Sequence, residues 1–186
     1  MKFRFALAFV AAAGAASAEG IGVNMPEIGK GSYAVYQAGD QIYTHVFAGK
    51  SGAYHVYDVV PGDDPSAMEG RSRYFRDGAG QTVKWVTAAG EVVSFTPHNC
   101  QRTVGECSFV EEGVVDGKPY KTNMLRTNTP TSSGFRFEQK GYGPDGESYL
   151  LMRGKVELDD YGLVRRGTVR NAEAKTRFKR LRAVIR

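Results

Sequence analysis

The chain of 186 residues carries a formal net charge of +5, with 24% charged and 41% hydrophobic residues. That length suits one domain with a real core. Beyond the N-terminus no stretch is apolar enough to cross a bilayer as a helix, and two cysteines with three histidines leave little material for a metal centre.

Met1 to Arg4 supply a positive segment, Phe5 to about Ala16 an apolar one, and Ala16-Ser17-Ala18 the small-x-small pattern of a signal-peptidase site. Residues 1–18 are therefore expected to be a signal peptide, with a periplasmic product as the first expectation and an extracellular one as the second. No cysteine near the cleavage site offers a lipid anchor, and no twin arginine is present. The remaining charge is unevenly spread. Nine Lys/Arg against Glu173 give +8 from Val164 to Arg186, which leaves the body from Glu19 to Leu163 at −5. An acidic body without a Lys/Arg-rich, aromatic-stacking groove argues against nucleic acid.

Short alternating runs separated by turn residues dominate the body and predict antiparallel strands. They cover Tyr33–Tyr36, Ile42–Ala48, Ala53–Val60, Ser72–Arg76, Thr82–Thr87, Val92–Thr96, Ser108–Val115, Phe135–Tyr142, Ser148–Leu158 and Leu163–Arg170. Asp77-Gly78, Ala89-Gly90, Asp116-Gly117, Asp145-Gly146 and Asp159 to Gly162 are the expected hairpin turns. Pro61 to Pro65 and Thr127 to Ser133 are expected loops. From Ala172 the spacing of Ala174, Phe178, Leu181 and Ile185 fits a helical stripe, with Asn171 as its N-cap. The expected fold is thus all-β to β-rich α+β: a meander over 19–171 forming a curved sheet, a sandwich or a partly open barrel, followed by a basic helix over 172–186.

Cys100 and Cys107 bracket six residues between two strand ends, which in an oxidising compartment predicts a hairpin-stapling disulfide. His98 beside them adds only a third ligand at unhelpful spacing, so no metal is expected. A Lys50-Ser51 turn would place His45 and His55 on opposite faces, both as packed strand residues. Gly141-Tyr142-Gly143-Pro144-Asp145-Gly146 formally matches a dinucleotide motif but runs from strand to strand, with no helix to hold a pyrophosphate. Gly49-Lys50-Ser51 lacks the first glycine of a phosphate loop. There is no G-x-S-x-G, no H-E-x-x-H and no calcium-loop pattern, so neither catalysis nor a cofactor is expected.

Arg71 and Arg73 share a strand face with Phe75 and, with Trp85, are the expected contacts for an acidic head group in an apolar cleft. Lys175, Lys179, Arg182 and Arg186 are the expected contacts of the basic segment with anionic lipid or an envelope protein. The anticipated function is a non-catalytic binding or carrier module for a lipid or small amphiphilic ligand. The alternative is an envelope interaction protein that docks through its basic C-terminus.

Overall fold

Period-2 alternation builds this molecule from end to end. In the computed structural model, which describes residues 28–78, 81–97, 100, 102–143, 145–160 and 163–186, twelve strands follow one another in chain order. They are β1 (Tyr33–Ala38), β2 (Gln41–Ser51), β3 (Tyr54–Pro61), β4 (Ser72–Arg76), β5 (Thr82–Val86) and β6 (Val92–Thr96). After them come β7 (Gly105–Val115), β8 (Lys118–Thr131), β9 (Gly134–Tyr142), β10 (Ser148–Leu158), β11 (Val164–Arg170) and β12 (Lys175–Val184). Each pairs antiparallel with the next, and β12 returns to pair with β1, so the sheet is a closed up-and-down barrel. Closure leaves no free edge, and every strand is hydrogen-bonded on both sides. The proposed signal segment 1–18 and His98 lie outside the described residues.

Two expectations are corrected. The sheet is closed rather than a sandwich or a partly open barrel, and the C-terminal segment is a strand. Among the described residues there is no α-helix. In β12, Thr176, Phe178 and Arg180 point inward while Lys175, Arg177 and Lys179 point outward. Of the supposed helical stripe, Phe178 is buried whereas Leu181 is 46% and Ile185 36% exposed. The two flanking strands supply a hydrogen-bonding ladder on each side that a helix would forgo. Asn171, expected to cap a helix, instead accepts the Glu173 and Ala174 backbone N–H groups through Oδ1 and closes the β11–β12 turn. Residues 172–186 therefore complete the barrel and are no appendage to it.

The Thr127–Ser133 loop is also corrected: β8 runs through it to Thr131, and only the Ser132-Ser133 turn separates it from β9. At Asp116-Gly117 the expected turn is present, both residues having φ near +60° (52° and 72°), the pattern of a type I′ hairpin.

Twelve strands enclose a wide lumen, and large side chains project into it. Tyr36, Tyr43, Phe47, Tyr57, Tyr74, Phe135, Phe137 and Phe178 form one buried cluster, with Trp85 packed against it. The outer wall is different in kind. On β9 to β12 it carries Arg136, Arg153, Arg166, Arg170, Arg177 and other charges at mid-strand, which is not the apolar band of a lipid-embedded barrel. Beyond β1, the 62–71 loop lies against the outer face of β2 and β3, where Thr44 and Val60 are buried. It is fastened by the Thr44 hydroxyl donating to the Gly62 carbonyl at 2.9 Å.

Candidate functional site: an arginine cluster in the lumen

Strand parity selects what enters the lumen. On β4, Tyr74 and Arg76 share the inner face, and β3 sets Tyr57 opposite Tyr74 and His55 opposite Arg76. On β8, Met124, Arg126 and Asn128 point inward, opposite Gly141, Gln139 and Phe137 of β9. A third arginine arrives from the β6–β7 loop. Arg102 lies between the bridged Cys100 and Cys107, and its backbone N–H donates to Gln81 Oε1 at 3.1 Å. Asn128 holds that loop in place by donating to the carbonyls of Cys100 and Thr103 at 3.1 and 2.9 Å.

The three guanidiniums are almost wholly buried: Arg76 2%, Arg102 0% and Arg126 2% exposed. Each faces an aromatic ring, Arg76 over Tyr57 at 4.6 Å, Arg126 over Phe137 at 4.3 Å and Arg102 over Phe135 at 5.7 Å. Arg126 donates to Asn128 Oδ1 and Gln139 Oε1, both neutral. The Nε and Nη2 of Arg76 have no hydrogen-bond partner.

Electrostatics bind these groups into one site. Burial lowers the pKa of all three arginines, that of Arg126 to about 9, and Arg76 and Arg126 push that of Arg102 down further by repulsion. A guanidinium does not lose its proton near neutrality, so the direction records the cost of holding like charges together out of water. The Tyr57, Tyr36 and Tyr74 phenols near Arg76 act against the effect of its burial. Burial pushes the Tyr36 and Tyr57 phenols up to about 12 even though Arg76 pulls both the other way. His45, whose ring lies 5.1 Å from Tyr36 and 5.4 Å from Tyr43, is pushed down to about 3 by burial and then by Arg76. It is neutral at physiological pH. The inward-facing acid Glu111 accepts from the Tyr120 hydroxyl at 2.9 Å. Its charge raises the pKa of Tyr74.

The residues expected from sequence to form a ligand site do not converge. Arg71 and Arg73 lie outside the barrel, where both donate to the buried Asp58 carboxylate at 2.9 and 2.6 Å and pin the 62–71 loop. Trp85 is inside, stacked on Tyr74 at 5.8 Å. His45 and His55 share the inner face rather than opposing ones. The hairpin turn is Gly52-Ala53, and a bulge between Phe47 and Gly49 rephases β2. The Cys100–Cys107 disulfide is present. Of the basic quartet, Lys175 and Lys179 point outward from β12, whereas Arg182 donates to the Asp63 carbonyl and the Arg186 backbone is tied to Ser32 and Gly29.

The arginines were missed because each was judged by type rather than phase. Arg76 continues the same face as Tyr74, a signal readable once that face is known to be buried. No protein-family model, curated protein or solved structure matches this chain.

Proposed function

We propose that this protein is a non-catalytic binding or carrier module for an organic anion with an apolar body. The acidic group would sit on Arg76, Arg102 and Arg126, and the apolar part among the rings of Tyr57, Tyr74 and Trp85. The observation that carries this reading is Arg76: a fully buried guanidinium with two donor nitrogens unpartnered and a second buried cation, Arg102, within reach of its repulsion. Buried donors are normally satisfied, and a buried charge normally has a counter-charge. A carboxylate, sulfate or phosphate group would meet both needs through charge-assisted, bidentate hydrogen bonds. Export to the periplasm, read from residues 1–18, belongs to this proposal. Such a carrier would work on ligands crossing or leaving the envelope.

Trp85 is the chain's single tryptophan, and its stack on Tyr74 makes it a reporter of the lumen. Titration with decanoate should change its fluorescence saturably, while decanol should not. The Arg76→Met variant should lose the response. Equal responses to decanoate and decanol, or none to either, would overturn the reading. Mass spectrometry of small molecules extracted from the purified protein should identify organic anions.

A further inference from the structure

The outer face of β9 to β12 places like charges directly opposite one another. In one row across the sheet Arg153 of β10 faces Glu138 of β9 on one side and Arg170 of β11 on the other, and Arg170 faces Lys175 of β12. In the next, Lys155 is followed by Thr168 and Arg177, and in the third Arg166 faces Lys179. Adjacent strands are about 4.8 Å apart, and like charges at directly opposed positions destabilise a sheet. The acids on this face are already engaged: Glu157 with Lys155 and Arg166, Glu138 with Lys140. Among the described residues Arg136, Arg153, Arg170, Lys175, Arg177 and Lys179 have no ion-pair partner, and all six are exposed. In the middle of the field lies a recess of about 490 Å³ lined by Lys155, Arg166, Arg177 and Lys179, four cations against the one carboxylate of Glu157.

Exposed apolar residues border this field. Leu150, opposite Lys140 on β10, is 43% exposed, and Leu181 on β12, just beyond Lys179, is 46% exposed. A polyphosphate chain alone would give such leucines nothing to contact. A bilayer gives them the headgroup boundary while its phosphates meet the cations.

We infer that the β9–β12 wall is a docking surface for an anionic phospholipid bilayer, with the recess seating one phosphate headgroup. The repulsion retained between Arg153, Arg170 and Lys175 in the free protein is relieved when the three face lipid phosphates. Docking leaves the lumen intact, so this surface is separate from the arginine cluster inside.

The test compares the protein with the triple variant Arg153→Gln, Arg170→Gln, Lys175→Gln in co-sedimentation with vesicles. One set contains phosphatidylglycerol mixed with phosphatidylcholine, the other phosphatidylcholine alone. The parent should bind the mixed vesicles, weaken as salt rises, and ignore pure phosphatidylcholine. The variant should bind about a hundredfold less tightly, from about fivefold per charge removed. It should melt no lower than the parent, because repulsion has been removed. Residues 1–27 are common to both proteins, so the difference between them isolates the wall. Equal binding by parent and variant would overturn the inference. So would binding to a DNA duplex without binding to anionic vesicles, which would assign the wall to a polyanion instead.

Discussion

The Arg76 guanidinium lies 4.6 Å from the centroid of the Tyr57 ring on the inner wall of the barrel, with its Nε and Nη2 unpartnered. The ring face supplies part of the compensation that the charge has lost with water, while Arg76 and the buried Arg102 repel each other. Replacing a buried, incompletely paired charge by an apolar side chain of similar volume is often neutral or stabilising, by about 1–4 kcal/mol. Arg76→Met should therefore raise the melting temperature of the ligand-free protein while abolishing the decanoate response of Trp85. A clear fall in melting temperature would mean that Arg76 is held by structural partners and that the lumen is only a packed core.

How much of this was written in the sequence depends on which side of each strand faced an apolar neighbour. Strands such as Ser72–Arg76 and Val92–Thr96 were read with the bounds the structure gives them, because apolar residues alternate there and Gly or Asp marks the turns. The longest strand, β8, was missed. Its inner face is Thr122, Met124, Arg126 and Asn128, and an alternation test that looks for an apolar face finds none where the lumen is polar. The C-terminal strand was misread for a related reason. Phe178, Leu181 and Ile185 stand at helical spacing by coincidence, whereas the ladder with β1 that closes the barrel and decides the matter comes from residues more than 130 positions away. The lumenal site required closure to be known first, since only closure puts Arg76, Arg102 and Arg126 in one volume.

His45 gives the protein a pH dependence of definite sign. Its folded-state pKa is lowered from 6.5 to about 3, first by burial and then by Arg76. Between those values the unfolded chain binds a proton that the folded chain refuses, so stability is fully present above about pH 6.5 and declines as pH falls. The limiting slope is about 1.4 kcal/mol per pH unit. Urea midpoints measured from pH 7 to pH 5 should drop in the parent and stay flatter in His45→Phe, whose ring suits the neighbouring Tyr36 and Tyr43. An unchanged slope in that variant would remove His45 from the account.

Cys100 and Cys107 hold the loop that delivers Arg102. In the chain-entropy picture closing a loop of this length stabilises by about 2.5 kcal/mol, and Cys100→Ala with Cys107→Ala should lower stability by that order. The same change should weaken decanoate binding several-fold, because the segment bearing Arg102 then loses the covalent tie that supplements its hydrogen bonds to Asn128 and Gln81. Loss of stability with unaltered affinity would show that the loop keeps its place without the staple and that the disulfide has no part in the site.

Phe178 and Leu181 distinguish a closing strand from a terminal helix more sharply than any truncation. On a helical stripe three residues apart they would share one buried face and cost similar amounts when shortened. On β12, Phe178 reaches inward over Gly167, so closely that a methyl group at Gly167 would stand 2.3 Å from its Cζ, while Leu181 stays 46% exposed. Phe178→Ala should cost about 3–5 kcal/mol through the cavity it leaves, and Leu181→Ala should stay within about 0.5 kcal/mol. Gly167→Ala should destabilise as well, since the added carbon would also lie 2.5 Å from the Lys155 carbonyl oxygen, and backbone cannot swing aside as a ring can. Chemical denaturation of the three variants measures all of these. Equal costs at Phe178 and Leu181 would contradict the register that closes the barrel, and with it the lumen on which the proposed anion site depends.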